Sequence, residues 1–286
     1  MENILLNGVV TPAQAFHISL SNRSFRYGDG VFESLRVSNR HPLFFRSHYS
    51  RFVRGLDALG IEVPGDFSFM HFYRCLMKII EANNINNGHL RVTAFRNGAG
   101  KYTPEDNSFT WVVSTTSIED NLTFFPLNQG GIELGIYEAH QKPMNVLSNL
   151  KTNNAIIPVL AAKYVFEQKL DDALILNTNG NIAETVSSNL FYYKAGKIYT
   201  PHLSEGGLEG IMRSVVKKLA IWNKIPLEEK AISVEELHGA EEIFTTNASK
   251  GIVWVEKFQE TTYSNSFTKG LHLKLNERVA KILESR

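Results

Sequence analysis

Apolar residues recur along the first third of the chain at two distinct periods. Asn3–Val10 and Gly30–Ser38 read as short strands; in RYGDGVFESLRV, glycines 28 and 30 mark a tight turn before alternating Val31, Leu35 and Val37. Two stretches switch to helical spacing. Ser47–Leu59 carries Phe52, Leu56 and Leu59, and Ser68–Ala82 carries Phe69, Phe72, Cys75, Leu76, Ile79 and Ile80. Strands are then predicted over His89–Phe95 and Phe109–Thr116, separated by the loop RNGAGKYTPEDN.

From Glu119 to Gly131 the periodicity disappears and Pro, Asn and Gly accumulate, which places a linker there. Beyond it the pattern predicts a strand at Ile132–Tyr137, a helix over Lys151–Lys169 with Pro158 bending or delaying its start, and a buried strand at Ala173–Asn177. A hairpin follows, Ser188–Tyr193 with Lys197–Thr200, then a helix over Gly210–Trp222. Strands at Glu242–Thr246 and Ile252–Glu256 precede a terminal helix over Phe267–Leu283. Strands and helices mix without regular alternation, so the expected fold class is α+β. Two domains are expected, residues 1–118 and the larger 132–286, joined by the 119–131 linker.

Composition narrows the function classes. With 43% apolar and 21% charged residues the chain is ordinary globular material, and 286 residues correspond to about two domains. Thirty Lys and Arg against 29 Asp and Glu leave +1, too little bulk field to hold nucleic acid or an anionic membrane. One cysteine, Cys75, forms no intrachain disulfide and no Cys-rich metal site, and it reads as a packing residue. The nine histidines lack metal-ligand spacing, so no metal is expected; His17, His41 and His48 read as surface or hydrogen-bonded residues. No apolar run reaches the length of a spanning helix and MENILLNGVVTP does not read as a secretory signal, so the expectation is a soluble, cytoplasmic protein.

The usual nucleotide, zinc-protease and hydrolase motifs are missing: GxxxxGKS, GxGxxG after a strand, HExxH and GxSxG. Three segments stand out instead. In SNLKTNNAIIP, Lys151 precedes an Asn-rich helix start, where a lone lysine would ordinarily be a solvated charge. In GNIAETVSSNLFYY, Glu184 opens a polar stretch leading into an apolar strand, by itself a turn or edge residue. In GGLEGIMRSVV, a Gly-rich entry offers backbone N–H groups that could bind an anion, or is a plain capped loop.

Taken together, LKTNNAIIP, DDALILNTNGNIAETVSSNLFYYKAGKIYTPHL and GGLEGIMR resemble the class IV aminotransferases, with RYGDGVFESLRV and FFRSHYSRF supporting the likeness from about Ser24 to Val255. The resemblance implies the two-domain fold type IV, like that of D-amino acid aminotransferases, with a small N-terminal domain and a larger C-terminal domain carrying the cofactor lysine. It also implies a pyridoxal 5'-phosphate cofactor and a homodimer. By it, Lys151 matches the lysine that forms the Schiff base and moves the substrate's α-proton. Glu184 matches the carboxylate paired with the pyridine nitrogen, which makes the ring an electron sink. Arg51 matches the phosphate arginine. Gly210, Ile211 and Met212 would offer N–H groups to the phosphate, Asn247 and Ala248 a second loop, and Ser188 and Asn189 cavity walls, with strand-edge hydrogen bonding as the equal alternative for the last two.

The implied activity is amino transfer between an amino acid and a 2-oxo acid; the family also contains aminodeoxychorismate lyases, which release 4-aminobenzoate and pyruvate. A non-catalytic pyridoxal-phosphate-binding protein is the third reading, and retention of Lys151 and Glu184 argues against it. The chain departs from branched-chain enzymes at Ile156, where they carry a tyrosine. It departs from D-amino acid enzymes after Arg96, where their Arg-x-His histidine is missing. RNGAGKY and the TNA at 246–248 look more like the lyases, and Ser34 stands where those carry a threonine. The substrate side is expected to use Tyr27, Arg26, Ser34 and Arg96, a guanidinium fork suiting a carboxylate. Arg91 is a further candidate for the carboxylate, with an exposed surface arginine as the favoured reading.

Overall fold

Alternation in the N-terminal third sorts side chains onto the two faces of one antiparallel sheet. The computed structural model describes residues 2–119 and 121–285. Its strands β1 (Asn3–Leu6), β2 (Val9–Pro12), β3 (Gly30–Ser38), β4 (His41–Pro42), β5 (Gly88–Arg96) and β6 (Phe109–Ser117) lie in the order β2-β1-β6-β5-β3-β4. Beside them are helices α1 (Arg23–Tyr27), α2 (Phe45–Ala58) and α3 (Phe69–Ala82). Val31, Leu35, Val37, Leu90, Val92, Ala94 and Val113 point to one face and pack against Phe52 and Leu56 of α2 and Phe72, Leu76 and Ile79 of α3. Each such burial contributes about 1.5–3 kcal/mol, and this is what holds the helices to the sheet. Ser68 is the cap of α3 rather than its first residue, its hydroxyl accepting from His71 N–H at 3.2 Å. Cys75 is buried in that core.

A second unit is built from β7 (Ile132–Lys142), β8 (Asp172–Asn177), β9 (Ile182–Thr185), β10 (Asn189–Lys194), β11 (Lys197–Pro201), β12 (Leu227–Lys230), β13 (Glu242–Asn247), β14 (Gly251–Phe258) and β15 (Thr261–Thr262). Its sheet runs β12-β11-β10-β13-β14-β7-β8-β9, with β15 on β14; β11–β12, β14–β7 and β7–β8 pair parallel. Helices α4 (Ile156–Gln168), α5 (Ile211–Trp222), α6 (Val234–His238) and α7 (Ser266–Glu284) complete it. The start of α7 is fixed by Glu242, whose buried carboxylate accepts from the N–H groups of Phe267 (2.7 Å) and Thr268 (2.8 Å). A negative charge at a helix N-terminus is favourable there. Among the described residues no helix is long and apolar enough to cross a membrane.

The first unit ends at Phe124 and also takes in Leu150–Asn154; the second takes in Phe125–Asn149 and the chain from Ala155 onward. This corrects two expectations. The helix expected over Lys151–Lys169 begins only at Ile156, and the segment carrying Lys151 belongs with the N-terminal sheet rather than the C-terminal domain. The cause is backbone pairing: Phe32 N–H donates to Lys151 C=O and Asn153 N–H to Gly30 C=O, both at 2.9 Å, around a Val31–Thr152 bridge. Pro158 sits in the first turn of α4, where a helix has no use for its missing donor. Glu184, by itself a turn or edge residue, lies in β9 at the end of the sheet order, with its side chain buried.

Candidate active site

In the first unit the site grows from the edge of β3. An antiparallel bridge between Val31 and Thr152 sets Lys151 opposite Phe32, and opposed residues of such a pair project to the same face. The Lys151 ammonium accordingly lies 4.3 Å from the centroid of the Phe32 ring. Gly30 makes this docking possible. A Cβ there would come within 2.1 Å of Ala94 O and 2.5 Å of the Asn153 amide nitrogen. Asn153 uses that space to donate to Ala94 O (3.0 Å) and Ser24 Oγ (3.1 Å), which pins the lysine's segment to the sheet.

Arg91 is exposed, as expected, and it lies against the same aromatic ring as this lysine. In the β3–β5 register Arg91 faces Ser34, and its guanidinium sits 4.0 Å from the same Phe32 ring. Both cations are within cation–π distance of that one ring. Arg96 is differently employed. It is buried and donates to Asp29 Oδ2 (2.9 Å), Leu59 O (2.6 Å), Gly60 O (3.0 Å) and Asn107 Oδ1 (2.6 Å), a tie between strand, helix end and loop. Arg26 is exposed and donates to Leu20 O at 3.0 Å. Tyr27 packs its ring 5.5 Å from that of Tyr102. Among the expected substrate residues, only Ser34 shares a sheet face with Phe32 and Lys151.

On the other face of β3 the alternation Val31, Glu33, Leu35, Val37 directs a carboxylate toward α2. Glu33 meets Arg51 through two parallel hydrogen bonds of 2.7 Å, Nε to Oε1 and NH2 to Oε2. His48 Nδ1 lies 2.7 Å from Oε2. His48 and Arg51 are three residues apart and therefore share one helix face. All three side chains are buried. Burial pushes the Glu33 carboxyl up, but Arg51 and His48 outweigh it and hold it at about 2. Burial pushes His48 down, with Arg51 and Lys151 adding to that and Glu33 opposing it. The sequence signal for this cluster was a charged residue at a core-facing strand position, which the alternation alone could have flagged.

The second unit holds Glu184 from both sides. Its Oε2 accepts from the Leu208 N–H at 2.7 Å, and its Oε1 pairs with the Lys142 ammonium. Lys142, at the end of β7, also donates to Ser148 O. Nothing in the local sequence marked Lys142, because its meeting with Glu184 is a matter of strand order. The loop bearing Leu208 is fixed by Asn189, which donates to Leu208 O (2.8 Å), and by Asn149, which donates to Leu203 O and Gly207 O. A Cβ on Gly210 would come within 1.9 Å of Asn189 Oδ1, so any larger residue there would displace the Asn189 amide.

Gly210 caps α5 without a side-chain partner, leaving the first N–H groups, at Ile211 and Met212, outside the helix ladder. Asn247 donates to Ser188 Oγ (3.0 Å), and its Oδ1 accepts from Ser249 and Lys250 N–H, closing a tight loop around the half-buried Ala248. Thr246, cross-strand from Asn189, has a buried hydroxyl with no hydrogen-bond partner among the described residues. No cluster of three or more His, Cys, Asp or Glu positioned for a metal occurs among the described residues.

Several known proteins are similar to this chain along most of its length. D-alanine aminotransferase of Staphylococcus aureus (strain MW2) is 27% identical over 287 residues, spanning 100% of this chain and 99% of that protein. A probable branched-chain-amino-acid aminotransferase of Thermotoga maritima is 31% identical over 82% of this chain and 78% of its own length. The crystal structure of a branched-chain aminotransferase from the thermophilic archaeon Thermoproteus uzoniensis with norvaline superposes with a TM-score of 0.88 at 21% identity, over 97% of this chain and 94% of that one. The model of the family described as Amino-transferase class IV matches residues 30–258, and with most of its length so matched the chain belongs to the class IV aminotransferase family.

Proposed function

We propose that this protein is a pyridoxal 5'-phosphate-dependent aminotransferase that moves an amino group between an amino acid and a 2-oxo acid, with Lys151 as the cofactor lysine. The observation carrying this reading is the lysine itself. It is locked to the edge of β3 by two backbone hydrogen bonds and Asn153, and it shares the Phe32 ring with Arg91. The residues fit the cofactor's chemistry: an amine, a carboxylate held at both oxygens, an arginine, an open helix entry, and the buried unpartnered polar atoms Thr246 Oγ1 and His48 Nε2. When bound, pyridoxal phosphate supplies an aldehyde for the amine and a ring that takes up the electron pair left by the α-proton.

Within this reading Lys151 holds the cofactor and, as a free amine, carries the α-proton at Nζ. Glu184 accepts a hydrogen bond from the ring nitrogen, and Lys142 with the Leu208 N–H fixes the carboxylate's orientation. Arg51 and the N–H groups of Ile211 and Met212 serve the phosphate, while Ser188, Asn189, Asn247 and Ala248 shape the loops around it. Arg91, in place of Arg96, grips the substrate carboxylate, and Ser34 stands beside it.

A second copy of the chain belongs to the same reading. Helix α4 packs Ile157, Leu160, Ala161, Tyr164 and Val165 onto its sheet yet exposes Ile156, Val159 and Phe166, the last at 84%. Apolar side chains thus extend well beyond the sheet-facing side of α4, alongside the exposed Lys163–Glu167 pair, and such a surface calls for cover. A homodimer covering α4 satisfies it.

A half-reaction tests the enzyme. The purified protein with pyridoxal phosphate is expected to show a visible absorption band that Lys151→Ala lacks. Adding a panel of L- and D-amino acids should bleach the band and release one 2-oxo acid per cofactor. Pyruvate release from 4-amino-4-deoxychorismate with the band intact would instead identify a lyase. Turnover by Lys151→Ala equal to that of the unaltered protein would overturn the reading.

A further inference from the structure

Arg51 presents an anion with less charge than its guanidinium suggests. Its Nε and NH2 are already paired with both oxygens of Glu33, so arginine and glutamate together are close to neutral. The third member, His48, is 1% exposed. Glu33, held as a carboxylate by its partners, can only accept, so the proton of His48 sits on Nδ1. That leaves Nε2 as a bare nitrogen, buried and without a hydrogen-bond partner among the described residues. A buried polar atom left in this state is costly and uncommon.

We propose that His48 is a positioning residue for the anion grip at Arg51: when a doubly charged phosphate-type anion seats there, His48 takes a proton from solvent onto Nε2 and becomes a second buried cation beside Glu33. This rests on the reading that Arg51 serves the cofactor phosphate. The charges facing His48 are Glu33 from β3, Arg51 from its own helix and Lys151 from the segment docked on β3. Before an anion arrives, burial, Arg51 and Lys151 disfavour a charged imidazole; a dianion offsets both cations and leaves Glu33 to favour it. The proton goes to His48 rather than Glu33 because the carboxylate is bonded to two donors. By linkage, an anion that raises the affinity for a proton must itself bind more tightly as the pH falls.

Sulfate is the cleanest probe, since its charge is constant through neutral pH. Its affinity for the full-length protein freed of cofactor should rise on lowering the pH from about 8 to about 6, approaching tenfold per unit. His48→Asn keeps a donor at the Nδ1 position but cannot take the proton, and its sulfate affinity should stay flat. In protein with 15N-labelled histidine, Nε2 of His48 should report a bare nitrogen before sulfate or pyridoxal phosphate is added and a protonated one after, a readout that does not depend on the variant folding. A flat sulfate affinity in the unaltered protein, or an Nε2 that stays bare with ligand bound, overturns the proposal. The visible band of the loaded protein separates the two levels. Its presence with an unprotonated His48 sinks this inference alone, whereas its loss sinks the cofactor reading beneath it.

Discussion

Glu33 occupies a position that the alternation of β3 reserves for an apolar side chain, and it is tolerated because Arg51 and His48 satisfy both its oxygens. Its carboxyl is held at about 2 against an ordinary 4.5. A carboxyl depressed in the folded state contributes stability that is complete above its unfolded pKa and is lost as the pH falls toward the folded one. The window is therefore from 4.5 down to about 2, and the contribution is on the order of 3 kcal/mol. Glu33→Gln should be destabilised by about 3–5 kcal/mol near neutrality, because it leaves Arg51 buried without its counter-charge. Urea unfolding followed across pH checks this. The gap between the two proteins should narrow as the pH drops through that window, and a constant gap would show that Glu33 is not the group responsible.

At the scale of elements, strong periodicity translated directly into structure, whereas local ambiguity was resolved by neighbours. Helix α3 follows its apolar spacing closely, with Phe72, Cys75, Leu76, Ile79 and Ile80 buried and Phe69 half-buried against the same core. The segment before α4 does not continue the helix, because the edge of β3 offers hydrogen bonds that the Asn-rich stretch accepts. Gly30 is where this competition is decided. Gly30→Ala, with its Cβ 2.1 Å from Ala94 O, should cost about 1–3 kcal/mol and loosen the lysine's segment. Hydrogen exchange should speed up at the Phe32 and Asn153 amides while the paired amides between β5 and β6 keep their protection. Uniform loss of protection throughout the sheet would mean instead that Gly30 serves the whole unit.

For the molecule as a whole, the exposed apolar face of α4 predicts self-association. Phe166→Glu should shift the protein toward monomer in sedimentation velocity without loss of helical signal, since Phe166 is 84% exposed within one chain. An unchanged distribution would move the interface elsewhere. Periodicity by itself determined most elements and the α+β class, and the clustered motifs determined the family, because both are carried by residues near one another in sequence. Tertiary structure decided which charges meet. It set Arg91 and Lys151 against the ring of Phe32 while tying Arg96 to Asp29, gave Lys142 to Glu184, and buried His48 against Glu33. Those pairings follow from strand register and from which face of a helix meets a sheet, and no local spacing encodes a partner 42 residues away, the separation of Lys142 and Glu184.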